Sequence, residues 1–580
     1  MDEEDQNLAS LWEAVADAVP SAPAVVQGDT VRTWGELESR AARLAGGLAS
    51  MGLGPGGRVA IDCYNCIEYL ETVFAAFKLR AVPVNVNYRY RAAELTYLLE
   101  DSAAAAVVFH EAVGGRVRAA CAALGRPIHL VEIPDGSTGE DEPVRAAAST
   151  APVTFEQLVS SSAPAERTRR SGGDDFLLYT GGTTGMPRGV VWGHAEVFGM
   201  EHVGFISRGL EVPRGREELA RTVARLHEAG EAPVALIVSP LMHGTAIFNS
   251  MAAFALGGSV VLCAARSLDA DEICRLIGAY RIRQLSIVGD AFAKPILATL
   301  DAALAAGTPY DLSSLERITS VGVTWTAEVK RGLLRHGDFL LVDGVAASEG
   351  GGFASMETRR GDPVGTARFR LGPNAKVVDE HGDDVLPGSG QVGFLAASGP
   401  LPKGYLNDPE KTARTWKVID GVRYVIPGDM ASLEANGTVV LLGRGSEVVN
   451  TGGEKVFVEE VEQVIAGHPG VVDVVVVGVP DDRLGTRVAA VVQRASGAEL
   501  TERDVVDHVG AVLADHKRPR QVVFVDEVVR TPAGKADRSW ARTVITAGAE
   551  GEPGRSRPGG RHLAASTTTP ADDDKGASSV

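Results

Sequence analysis

Thr180-Gly181-Gly182-Thr183-Thr184-Gly185-Met186-Pro187-Arg188-Gly189 follows the apolar run Phe176-Leu177-Leu178-Tyr179 and precedes another, Val190-Val191-Trp192. An apolar run, a loop of glycine and threonine, then a basic residue is an order that lets a backbone cradle an anion. Glycine takes turn geometries closed to other residues and lets backbone N–H groups approach a phosphate. The hydroxyls of Thr180, Thr183 and Thr184 add donors, and Arg188 adds a fixed positive charge. No Gly-Lys-Ser/Thr ends the loop, so it is not a Walker A sequence. By composition alone it reads equally well as a surface turn. What lies on either side decides between the two.

Toward the N-terminus, Leu8, Leu11, Trp12, Val15 and Val19 recur at helical spacing and stop at Pro20. Thr33, with Glu36 three residues on, is a capping-box pattern for a helix whose stripe is Leu37, Ala41, Leu44 and Leu48. Extended runs at 59–61, 82–86 and 106–109 alternate with helical runs at 69–77 and 92–99. This alternation predicts α/β architecture with doubly wound parallel sheets. Residues 134–150 read as a polar loop and 208–231 as a charged, partly helical surface insertion.

Toward the C-terminus, the strand 235–240 runs into Leu241-Met242-His243-Gly244-Thr245, and runs at 285–290 and 318–324 also have polar ends. A histidine beside glycine at a strand's C-terminal end stands where α/β proteins hold ligands. Ser348-Glu349-Gly350-Gly351-Gly352 and Pro427-Gly428-Asp429 each place a carboxylate at a turn. After Gly443-Arg444 the chain changes to a compact α+β pattern of about a hundred residues, with a helix around Val458 to Ile465 and strands at 471–479, 488–492 and 522–525. The expected organisation is a large domain over 1–443, a small mobile α+β domain over 444–546, and a tail over 547–580. The tail is too poor in apolar residues to offset its ordering entropy, so it is expected to be disordered.

A chain of 580 residues exceeds one hydrophobic core. Its net charge of -18 disfavours nucleic acid and anionic membrane surfaces as partners. No apolar run reaches the roughly 18 residues of a spanning helix, and Met1 to Asp5 is acidic where a secretion signal is basic. A cytoplasmic protein is expected. Cys63-Tyr64-Asn65-Cys66 has CxxC spacing, but no second pair or neighbouring histidine completes a zinc site in the sequence. Reduced, buried thiols are the expectation for all five cysteines.

Taken in order, these motifs resemble those of the adenylate-forming superfamily over residues 8–545, in a style similar to actinobacterial acyl-CoA synthetases acting on fatty or sterol side-chain acids. The loop 180–189 resembles its phosphate loop, with Gly181 where the family has Ser and Arg188 where it has Lys. His243 matches a histidine of the acyl pocket. Ser348 and Glu349 match its Thr/Ser-Glu pair, which implies a magnesium ligand at Glu349. Val345 and Ala346 replace the adenine-stacking aromatic and its glycine. Asp429 matches the ribose-binding aspartate. Arg444 belongs to a segment resembling the inter-domain hinge, with Ser446 at the usual Asp or Lys. Gly453 and Lys455 lie in a segment resembling the wall of the thiol tunnel, and Lys535 matches the lysine that bridges acyl carboxylate and phosphate.

The resemblance implies ATP, Mg²⁺ and coenzyme A acting with a small carboxylic acid. The acid is first adenylated and then transferred to the thiol, and the small domain rotates between the two steps. A homodimer is compatible with the family. The departures leave open an amine or carrier protein as acceptor, nitrite as the activated acid in a diazotase, or an inactive ATP-binding homologue.

Overall fold

The computed structural model describes residues 6–137, 152–180, 186–323, 325–444, 448–451, 454–481, 483–530 and 535–549. Two large sheets organise residues 23–444. One has eight strands, with Asp175–Thr180, Val82–Asn85, Arg58–Asp62, Ala106–His110, His129–Ile133 and Val153–Thr154 running parallel in that spatial order. Every residue of Ala106–His110 is buried. Such continuously apolar strands suit a parallel sheet covered on both faces.

The other sheet has fifteen strands. Its parallel part runs Pro23–Gln27, Ser259–Leu262, Val234–Ile237, Gln284–Ile287, Arg317–Val321 and Leu340–Ala347. Beyond Leu340–Ala347 the sheet turns antiparallel, through Gly351–Thr358, Arg368–Leu371, Val439–Arg444 and Asp429–Leu433. The expected α/β class therefore holds, and the intervening helices form where apolar spacing placed them. Trp34–Ser50 carries the full capping box, with Glu36 N–H donating to Thr33 Oγ1 (3.2 Å) and Thr33 N–H to Glu36 Oε2 (2.9 Å). The run at 285–290 is shorter as a strand than its sequence suggests. The strand stops at Ile287, and Asp290 sits in the first turn of the helix Gly289–Ala305.

One expectation is corrected. The stretch 208–231 is not merely a surface insertion, because its helix Arg216–Glu228 buries Leu219, Val223 and Leu226 against the first helix, Leu8–Ala18. Its charges lie on the outer face and hid the stripe.

The small domain pairs Val471–Asp481 with Gly485–Arg494, and the latter with Gln521–Val525. Val458–Ala466, Glu502–Gly510 and Arg538–Ala549 are its helices. The last of these runs three residues past the expected start of the tail at 547; residues 550–580 and the loop 138–151 lie outside the described residues. Gly443, at the junction between the strand Val439–Arg444 and the chain that follows it, has φ +105°, and a Cβ there would fall on the Glu459 carboxylate. Only glycine fits this junction.

A buried pair supports the strand that leads to Ser348 and Glu349. Lys330 Nζ donates to Asp343 Oδ2 (2.5 Å), with both side chains almost fully buried. Lys330→Ala leaves the carboxylate buried and unpaired, and is expected to destabilise the protein by about 3–5 kcal/mol. Replacing both residues by apolar ones of similar volume should restore most of that, as read by thermal unfolding.

Candidate active site

The parallel strands of both sheets end on one side of the molecule, and a cleft of about 1290 Å³ opens there. Its wall combines strand ends of the first sheet (Tyr64, Cys66, His110) with those of the second (Gln27, Val238, Cys263, Gly322, Val345, Ala346). Ligands of α/β folds bind at the carboxyl ends of strands, where the chain leaves the sheet and side chains converge. Asp429 and Lys535 line the same cleft, from the antiparallel part of the large domain and from the small domain. The small domain is held there by Lys294 of the helix Gly289–Ala305, whose Nζ donates to the Val472 carbonyl.

A second group of expected residues adjoins the cleft. Thr180 and Arg188 pair directly across two antiparallel strands, Asp175–Thr180 and Arg188–Gly193. Gly181, Gly182, Thr183, Thr184 and Gly185 join them and lie outside the described residues. Arg188 Nε stands 3.6 Å from Asp408 Oδ2. Gly244 comes so close to the neighbouring elements that a Cβ there would meet Leu178 at 3.1 Å and Ser348 Oγ at 3.4 Å. The His243 turn and the Ser348-Glu349 turn are therefore in contact. Trp192 Nε1–H donates to the Ser348 carbonyl (3.0 Å), and the Tyr405 hydroxyl donates to Glu349 Oε1 (3.0 Å). Burial and the Glu349 charge push the Tyr405 phenol above its ordinary value, so it remains a donor.

His243 caps the helix Gly244–Ala255. Burial pulls its imidazole down to about 4, with Lys535 and then Arg89 adding repulsion. It is neutral at physiological pH, and its Nε2 has no hydrogen-bond partner among the described residues. Lys535, an exposed side chain on the cleft wall, is thus close enough to bear on His243 and links the two groups.

Of the remaining expected residues, Arg444 ends its strand in register with Asp429, and Lys455 pairs with Asn450 in the hairpin of Val448–Thr451 with Glu454–Phe457. Gly453 and Ser446 lie outside the described residues.

Two asparagines escaped the sequence analysis. Asn85 Nδ2 donates to the carbonyls of Tyr179 (2.9 Å) and Met242 (2.6 Å), and its Oδ1 accepts from Tyr179 N–H. One buried amide thus locks the strand Asp175–Thr180 to the turn that holds His243. Asn65 does the same from the other side, donating to the Ser239 carbonyl (3.0 Å) and accepting from Leu241 N–H (2.7 Å). The only available signal was a polar residue at the end of an apolar strand. Asn85→Ala strands three buried polar groups, at about 1–3 kcal/mol for each unsatisfied one. The expected result is a lower unfolding temperature, measured by calorimetry.

The CxxC segment also needs correction. The fold brings in a histidine that the local sequence does not contain: the Cys63, Cys66 and His110 ligand atoms lie within 4.8 Å of one another, and all three residues are buried.

Residues 12–406 match the family model of the AMP-binding enzymes, and residues 460–535 match the model of their C-terminal domain. The chain belongs to the AMP-binding enzymes. Within this family it is 38% identical to the medium/long-chain-fatty-acid–CoA/3-oxocholest-4-en-26-oate–CoA ligase of Mycolicibacterium smegmatis, over 93% of this chain and 96% of that one. It is also 38% identical to the medium-chain acyl-CoA ligase Mig of Mycobacterium avium, over 92% and 97%. Among solved structures it resembles ATP-bound MatB from Rhodopseudomonas palustris, with a TM-score of 0.73 and 25% identity over 92% and 98% of the two chains. The family fold, a large N-terminal and a small C-terminal domain, is the one described above. Among the described residues no helix is long and apolar enough to cross a membrane.

Proposed function

We propose that this chain, an ATP-dependent acyl-CoA ligase of the AMP-binding family, activates a medium- or long-chain aliphatic acid, or a sterol side-chain acid, through the residues gathered at the cleft. The observation that carries the reading is the meeting of Lys535 and Asp429, from two domains, in one cleft beside the Ser348-Glu349 and His243 turns. The acids named for the relatives set the substrate class. A cleft of about 1290 Å³ exceeds the usual range for one small ligand, about 300–1,000 Å³, and so suits a nucleotide together with a second reactant.

A carboxylate is a poor electrophile because its leaving group would be oxide. Attack of the acid on the α-phosphate of ATP converts it to an acyl-adenylate with loss of pyrophosphate. The obstacle is anion approaching anion. In this reading Lys535 neutralises both at the point of attack, Arg188 and the amides of the loop that follows Thr180 hold the phosphates, and Asp429 accepts from the ribose hydroxyls. Neutral His243 brings no charge to the acyl pocket and shapes its wall. Glu349 would hold Mg²⁺: Tyr405 occupies one carboxylate oxygen and leaves the other to a hard cation that favours oxygen ligands. That ion would supply positive charge to the phosphates. For the second step the small domain turns at the Gly443 junction, withdrawing Lys535 and bringing the hairpin that carries Lys455 to the thiol of coenzyme A.

The test is ATP consumption with a panel of carboxylic acids and nitrite, with and without coenzyme A, following AMP and pyrophosphate. AMP release that needs a long aliphatic or sterol acid together with coenzyme A is the expected result. Turnover that ignores coenzyme A, or responds only to nitrite or an amine, would overturn the proposal.

A further inference from the structure

Cys63, Cys66 and His110 take no part in the ligase chemistry above, yet they stand at its edge. Cys63 follows the strand Arg58–Asp62, Cys66 caps the helix Ile67–Lys78, and His110 ends the strand Ala106–His110. Two adjacent parallel strands thus deliver the three side chains to one point. Cys66 and His110 line the cleft, and Cys63 lies behind them, 2% exposed.

The hydrogen bonds around the ring decide what this cluster can do. Tyr64 N–H donates to His110 Nδ1 (3.1 Å). The proton of the neutral imidazole is therefore on Nε2. A metal ion would need that nitrogen bare while Nδ1 is still accepting, which asks for an imidazolate; metal-bound histidines instead donate from their second nitrogen. A thiolate needs the opposite, a ring N–H that donates to sulfur. The ring stands within 4.8 Å of the Cys63 sulfur, and Cys63 Sγ–H donates to the Val108 carbonyl at 3.6 Å. Burial pushes the Cys63 thiol up, but hydrogen bonds from Cys66 and His110 more than cancel it, and it ends below its ordinary value. Burial, and then Cys63, hold Cys66 well above its own.

We propose that Cys63 and Cys66 form a redox-active dithiol that exchanges, through the cleft, with the disulfide of a small aliphatic thiol and closes to a Cys63–Cys66 disulfide. Cys66, on the cleft wall, gives up its proton to water and attacks one sulfur of the small disulfide. That S–S bond breaks, and the first small thiolate leaves and is protonated. Cys63 then loses its proton and attacks Cys66 Sγ, expelling the second thiolate, which takes up that proton. The small disulfide is reduced to two thiols, the protein dithiol is oxidised, and both thiol protons end on the released molecules. The two protein sulfurs start within 4.8 Å of each other, and the Cys-X-X-Cys spacing at a helix start is a common setting for such closure.

Closure reaches the ligase site through Asn65. This residue lies between the two cysteines and clamps Ser239 and Leu241, while His243 N–H closes the next turn onto the Pro240 carbonyl (2.9 Å). Tightening the Cys63–Cys66 loop displaces this clamp and the His243 turn with it.

The experiment treats the full chain with glutathione disulfide, then alkylates and counts free thiols. The untreated chain has five: Cys63, Cys66, Cys121, Cys263 and Cys274. The expected result is a loss of two thiols, a mass lower by two hydrogens, and a peptide linking Cys63 to Cys66, all reversed by dithiothreitol. Cys63→Ser should stop at a mixed disulfide on Cys66, and His110→Phe should close about tenfold more slowly. Oxidation should also lower AMP release several-fold in the parent chain, and dithiothreitol should restore it. Five free thiols after treatment, an adduct on Cys66 that never closes in the parent chain, or a bound metal ion blocking alkylation of the pair would each overturn the proposal. Thiol counting does not depend on ligase turnover, so failure of the ligase reading would be seen separately.

Discussion

Lys535→Ala is expected to lower acid-dependent exchange between pyrophosphate and ATP by at least about a hundredfold, the scale of losing a pre-organised charge aimed at a developing anion. Its ability to make thioester from a synthetic acyl-adenylate and coenzyme A should stay within a few-fold of the parent. The asymmetry follows from where charge develops. In the first step a carboxylate meets a phosphate, and Lys535 is, with Arg89, an exposed cation on the cleft wall that adds to the repulsion at His243. In the second step a thiolate meets a carbonyl carbon, and the departing AMP is already a good leaving group. Measuring both half-reactions on one preparation separates a chemical role from a folding defect, because misfolding would remove both. Equal losses would mean that Lys535 does not divide its labour between steps.

Glu349→Gln should cost about a hundredfold in adenylation rate and raise the Mg²⁺ concentration needed for half-maximal turnover. The amide is nearly the same size as the carboxylate and can still accept from the Tyr405 hydroxyl, so the turn should keep its shape. What it lacks is negative charge, the property a hard divalent cation requires of its ligand. Tyr405→Phe is the companion measurement. It frees the carboxylate oxygen without removing charge, and should change the Mg²⁺ requirement much less. A Glu349→Gln variant with an unchanged Mg²⁺ dependence would place the ion elsewhere.

Reading the chain in order recovered the architecture because its signals are local. The capping box of Thr33 and Glu36, the buried runs at 59–61 and 106–109, and the glycine-threonine loop between two apolar runs each declare themselves within a few residues. The same holds for the shift in composition ahead of the helix Val458–Ala466 that announces a small C-terminal domain. The helix Arg216–Glu228 shows where locality fails. Its charged residues outnumber its apolar stripe, and the stripe has meaning only once the first helix lies against it.

At the site the division is sharper. The sequence by itself determined the family, the order of the motifs and the candidate residues, because anion-binding turns and strand-end acids are written in short consecutive stretches. Only the tertiary structure decided which of them meet. Asn85 acts through Met242, 157 residues away. His110 reaches the CxxC pair because two parallel strands lie side by side in register. Hydrogen bonds act over about 3 Å, whereas separation along the chain says nothing about separation in space until the sheets have formed.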